Sequence, residues 1–151
     1  QFDTFVSIEL VHSGRRAHPA YLPEDGQVWG PSAVCEPLWA EVIEMTEDMM
    51  DEIADAYAEA AFMAKFAGVD MVMIHGGHGW LLDQFLSPLN NKRTDRYGGS
   101  LENRARFPIM VLDRVRARCG SKFLSNTASP ALELIEGGLE EEEMARFLKT
   151  A

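Results

Sequence analysis

His75 and His78 stand three residues apart in Asp70–Phe107 (DMVMIHGGHGWLLDQFLSPLNNKRTDRYGGSLENRARF), directly after a short apolar run. Two imidazoles at the end of a strand are candidate site residues, and metal ligation is one chemistry open to them. The Gly76–Gly77 spacer allows a sharp turn, so both rings can converge on one point. Spacing alone does not choose, because one histidine of such a pair is more often packed. His12 ends a second apolar run, Phe5–His12 (FVSIELVH). Three imidazoles, His12, His75 and His78, would suit a metal-dependent hydrolase with an open position for water. Against this stand the apolar surroundings and the lack of nearby carboxylates other than Glu9 and Asp83.

These residues need elements to position them. Phe5–His12 is rich in β-branched and apolar residues and predicts a mostly buried strand. Ser13 to Met45 reads as a long irregular segment, punctuated by glycines and prolines, and equally a site wall or a surface excursion. Thr46 is a helix N-cap, and a helix to about Ala67 presents Met50, Ile53, Tyr57, Ala61 and Ala64 on one face. Asp48, Asp51, Asp55 and Glu59 lie opposite and read as a solvated face, and Gly68 supplies the stop. Val69–Ile74 predicts a strand covered on both faces. Ser100 caps a helix to about Cys119, in which Pro108 sits awkwardly. Lys122–Thr127 predicts a further strand and Leu139–Lys149 a final helix.

Alternation of this kind predicts α/β architecture with parallel strands. A doubly wound sheet and a (β/α)8 barrel both place ligands at the carboxyl ends of the strands, where His12 and His75 fall. Three βα units cannot close a barrel of about 250 residues. The barrel therefore requires a fragment, and the chain opens on Gln1 and not Met.

Composition narrows the partners. The chain has 151 residues, 46% of them hydrophobic, and a formal charge of −10 from 24 acidic and 14 basic residues. That balance disfavours nucleic acid and anionic membranes and favours small molecules. No apolar run has the length of a membrane span. Cys35 and Cys119 form no C-x-x-C pair and read as reduced thiols of a cytoplasmic protein. The charges of Asn91–Phe107 (Lys92, Arg93, Asp95, Arg96, Glu102, Arg104, Arg106) are of mixed sign, which suits an internal salt-bridge scaffold better than a phosphate site.

Met45 to Phe107 resembles the old yellow enzyme family, in particular its NADH:flavin oxidoreductase and 2,4-dienoyl-CoA reductase-like branch. AKFAGVDMVMIH, HGGHGWLLDQFLSP and NNKRTDRYGGSLENRARF carry the likeness, with IELVHSGR and GPSA upstream, over most of residues 5–119. The resemblance implies that residues 1–151 are a partial FMN-binding TIM-barrel domain, about the third to fifth βα units. It implies an ene-reductase: NADH or NADPH reduces FMN, and flavin N5 gives hydride to the β-carbon of an α,β-unsaturated carbonyl compound. His75 and His78 correspond to the donors that hold the carbonyl oxygen, where they stabilise the developing enolate. Glu9 and His12 fall toward the cofactor. An iron–sulfur cluster and FAD belong to longer members, in regions outside this chain; oligomeric state is not indicated.

Three positions depart from the family pattern. Trp80 stands where a tyrosine usually protonates the α-carbon, and an indole N–H is a donor without being a usable acid. Trp80 would instead wall a flat substrate. Glu9 replaces a glutamine at the pyrimidine edge of the flavin; its charge opposes the anionic reduced ring, which implies a lowered potential or a protonated Glu9. No arginine lies between Arg118 and Arg146, and the place of the family's flavin-facing arginine falls at about Ala128. These departures also suit a non-catalytic fragment or degenerate copy. The phosphate-binding loops follow strands seven and eight, so the isolated chain is expected to hold FMN weakly or not at all.

Overall fold

The computed structural model describes residues 4–33, 40–129 and 132–150. In chain order it contains β1 (Ser7–Leu10), β2 (Val28–Gly30), β3 (Val42–Glu44), α1 (Glu47–Phe66), β4 (Met71–His75), α2 (Leu81–Leu86), α3 (Leu101–Arg104), α4 (Arg106–Cys119), β5 (Leu124–Ala128) and α5 (Glu141–Thr150). β1, β4 and β5 form a parallel sheet with β4 in the centre. This is the expected βα alternation.

β4 decides the two faces of the sheet. Side chains alternate along a strand: Val72 and Ile74 are fully buried, while Met71, Met73 and His75 are half-buried. The first pair packs on Met50, Ile53, Tyr57, Ala61 and Ala64 of α1 and on Phe107, Val111 and Val115 of α4. The second set lines the open face. Register carries Glu9, opposite Met73, and Ala128, opposite His75, onto the same face. Val69–Ile74 is thus covered by helices on one side only.

β1 corrects a second expectation. Its residues Ser7, Ile8 and Glu9 are exposed, and flanking Phe5 is 81% exposed. Among the described residues β1 pairs with β4 alone, so it is the edge of the sheet, and its apolar side chains lack a cover. The segment 13–45 is not wholly irregular either. β2 and β3 pair in parallel inside it, and the N–H of Met45 donates to Gly30 O at 3.0 Å.

Thr46 caps α1 by accepting from the N–H of Met49 at 3.3 Å. Its acidic face is not simply solvated: Arg114 of α4 pairs with Asp51 at 2.5 Å and with Asp55, and Arg118 pairs with Glu59 at 2.9 Å. The helix expected from Ser100 is two helices that meet at Ala105. The break puts Pro108 in the first turn of α4, where its missing N–H would have had no partner. No helix among the described residues is long and apolar enough to cross a membrane. Cys119 is a buried free thiol; Cys35 lies outside the described residues.

The mixed charges after α2 do form a scaffold. Asn91 donates to Phe85 O at 2.8 Å and Tyr97 O at 2.7 Å. Buried Arg93 ties Pro31 O, Met45 O and Asp95 together at 3.0, 2.8 and 2.6 Å. Buried Arg104 binds Gly99 O at 3.0 Å, Glu143 at 2.5 Å, and Leu86 O. Together they tie the end of α2 and the loop after it to the segment before α1 and to α5.

Candidate active site

β4 delivers His75 to the open end of the sheet, and Gly76 turns the chain by donating its N–H to Ala128 O at 2.6 Å. A Cβ on Gly76 would lie 3.0 Å from that oxygen, which is tighter than ordinary contact. The His75 ring is held at both nitrogens. Nδ1 contacts the Glu9 carboxylate, and Nε2 is 3.1 Å from Nδ1 of His78. The two rings are therefore bonded to one another, at a centroid separation of 5.1 Å, and do not stand as two independent donors around a shared point.

His78 is the one described non-glycine residue with positive φ, at +57°. Such a conformation persists where its surroundings over-determine it. Arg16 Nη1 donates to His78 O at 3.0 Å, the N–H of Gly79 donates to Asp83 Oδ2 at 2.6 Å, and Gln84 Nε2 donates to Gly79 O at 2.8 Å. Gln84 also donates to Ser13 O at 3.1 Å and accepts from the N–H of Arg15 at 3.0 Å. One buried amide thus joins the loop after β1 to the histidine loop. Burial pushes the Asp83 carboxyl above its ordinary range, with Glu133 adding to the rise, while the Gly79 N–H, His78 and Arg16 oppose it. Its Oδ1 is buried with no hydrogen-bond partner.

Trp80 precedes α2, and its ring lies 5.8 Å from the Arg16 guanidinium. His12 is not part of the pair. Its Nδ1 accepts from the N–H of Gly14 at 3.0 Å, burial lowers its pKa, and it lines a separate cavity of about 390 Å³ with Gln27 and Trp29. Among the described residues no three His, Cys, Asp or Glu side chains are grouped to hold a metal ion. The hydrolase built on His12, His75 and His78 is therefore set aside. Sequence reasoning missed Arg16 and Gln84 as supports. The available signal was the polar pair Asp83–Gln84 inside the otherwise apolar LLDQFL.

The open face suits a flat ring. Met71 and Met73 are half-buried there, and Glu9, 42% exposed, supplies an acceptor suited to a flavin N3–H. These residues fit one edge of FMN. Ala128 leaves the end of β5 without the cation expected there.

Parallel strands alternating with helices, with the polar groups gathered at the carboxyl end of the central strand, define a segment of a TIM-barrel protein. The chain belongs to the NADH:flavin oxidoreductase / NADH oxidase family, whose model matches residues 1–151. FMN and a nicotinamide reductant go with that family. The match extends the likeness seen over residues 5–119 across the divergent stretch that follows. The chain is 37% identical over 150 residues to an NADH oxidase of Thermoanaerobacter brockii, covering 97% of this chain and 23% of that protein. It is 40% identical over 136 residues to an NADPH dehydrogenase of Halalkalibacterium halodurans, covering 89% and 38%. Among solved structures, a 2-naphthoyl-CoA reductase in complex with 2-naphthoyl-CoA matches at TM-score 0.86 and 33% identity, over 95% of this chain and 24% of that one. A morphinone reductase matches at TM-score 0.81 and 33% identity, over 95% and 42%. The chain thus spans less than half the length of each.

Proposed function

We propose that this chain supplies the carbonyl-binding part of a flavin-dependent ene-reductase, which adds hydride to the activated C=C bond of an α,β-unsaturated carbonyl compound. The observation that carries the proposal is the linked pair His75–His78 at the end of β4, on the open face beside Glu9. When bound, FMN supplies the hydride. The chain's own residues do the rest: His78, braced through His75 by Glu9, holds the substrate oxygen, so charge arriving there meets a fixed donor. The Gly79–Asp83, Gly79–Gln84 and Arg16–His78 bonds keep that geometry from relaxing. Trp80 offers a flat apolar wall. Two solved neighbours support the substrate class, since their names denote reductases of a ketone and of an acyl thioester.

The test uses the full-length protein. Its flavin is reduced with NADH or NADPH, and reoxidation by cyclohex-2-enone is followed anaerobically. Enone-dependent reoxidation is expected, and His78→Ala should slow it by about 10²–10³-fold, the usual effect of losing one oxyanion donor. Flavin that no enone reoxidises would favour a non-catalytic copy.

A further inference from the structure

Trp80 leaves ene reduction without its usual acid, and the hydrogen-bond chain Glu9–His75–His78 offers a replacement. We propose that Glu9, His75 and His78 hold one proton as a unit, and that His78 releases it to the substrate's carbonyl oxygen, so that the first product is an enol. The inference rests on the ene-reductase proposal above.

Hydrogen counting carries it. A carboxylate only accepts, so the hydrogen between Glu9 and His75 sits on His75 Nδ1. His75 Nε2 is then the acceptor for the N–H at His78 Nδ1, 3.1 Å away. Two neutral imidazoles have two ring N–H hydrogens, and both are now used. His78 Nε2 is left with a lone pair, and the pair has no N–H to offer a carbonyl oxygen. One added proton changes this. It occupies His78 Nε2, makes the ring an imidazolium, and is balanced through His75 by Glu9. The pair can anchor the oxygen only while it holds a proton that it can also give away.

The surroundings fit this use. His78 is exposed, so water can refill it, whereas the His75 side chain is only 12% exposed and serves as the link. Among the described residues, the charged groups facing the loop are Glu9 from β1, Arg16 from the segment after β1 and Asp83 from α2, with Glu133 acting on Asp83. β5 contributes Ala128 at the site, without charge.

The step balances. Hydride arrives at the β-carbon from reduced flavin, and the C=C pair shifts to form a new C=C bond toward the carbonyl carbon. The carbonyl π pair moves to oxygen, which takes the proton from His78 Nε2, and the broken N–H bond leaves its electrons on the ring. The substrate is reduced by two electrons and the flavin oxidised. The enol becomes the ketone in water, where the α-carbon gains its proton.

Two measurements on the full-length, FMN-loaded protein test this. First, reduction of 2-methylcyclohex-2-enone should give 2-methylcyclohexanone that is racemic at the α-carbon, because no protein acid delivers that proton. A single enantiomer overturns the inference. Second, ¹⁵N spectra of labelled imidazoles, without substrate, should show ring hydrogens on His75 Nδ1 and His78 Nδ1 and the added proton on His78 Nε2. Glu9→Gln keeps the acceptor and removes the balancing charge, and it should leave His78 Nε2 without the added proton. Glu9→Leu should move His75 from the Nδ1–H to the Nε2–H tautomer. A wild-type pair with two protonated nitrogens, or spectra indifferent to Glu9, also overturns it. Failure of the enzyme to reduce any enone sinks the ene-reductase proposal, whereas a single enantiomer or an unresponsive ¹⁵N pattern sinks only the proton chain.

Discussion

Replacing Gln84 with alanine removes three hydrogen bonds from one buried side chain: those to Ser13 O, Gly79 O and the N–H of Arg15. At about 1 kcal/mol net for each bond, the loss is about 3 kcal/mol, a large share of the 5–15 kcal/mol typical of a folded domain. Urea unfolding of the full-length protein should show the midpoint falling with little change in slope. Gln84→Glu separates bonding from volume. It matches glutamine in size and keeps one acceptor, yet it turns an oxygen toward the carbonyls of Ser13 and Gly79, so its loss should be at least as large. A loss below about 1 kcal/mol in either variant would refute the view that this amide fastens the histidine loop.

Arg104→Met should cost about 3 kcal/mol in the same assay, because it strips the partners of Gly99 O, Leu86 O and Glu143 in a buried place; a change under 1 kcal/mol would argue against the scaffold. Asp83 supplies a pH signature. Its carboxyl is raised in the folded chain, so its contribution to stability is fully present below its ordinary value near 4 and is lost as pH rises through the raised one. The stability of Asp83→Asn relative to the native chain should therefore improve from pH 4 to 7, and a flat difference would count against the burial argument. Glu9→Gln should raise the potential of bound FMN in the full-length protein, because it removes a negative charge from the open face; an unchanged potential would place Glu9 away from the ring.

Much of the fold is legible because helical and strand periods leave a plain record. The apolar face of α1, the run of β4 and the Thr46 cap all follow from spacing. The scaffold was legible from the mixed signs of Asn91–Phe107. β2 and β3 were not: three residues each, amid prolines and glycines, give no period to detect. β1 was misjudged because burial depends on neighbours beyond its own residues. At the site, the histidine pair follows from its motif, but its bond to Glu9 does not. That contact joins residues 66 apart through the β1–β4 register, which local pattern does not encode. The bond from Gly14 N to His12 Nδ1 is equally absent from the spacing of the strand's apolar residues.

The left-handed backbone at His78 restricts what can follow it in evolution. At φ +57° the tolerated side chains are few: glycine, and then asparagine, aspartate and histidine itself. Among these, asparagine alone would still offer a neutral N–H to an oxygen, and it has no proton to lend. If the proposed proton chain operates, a single substitution at this position would therefore convert a site that both grips and protonates into one that only grips, with the backbone undisturbed.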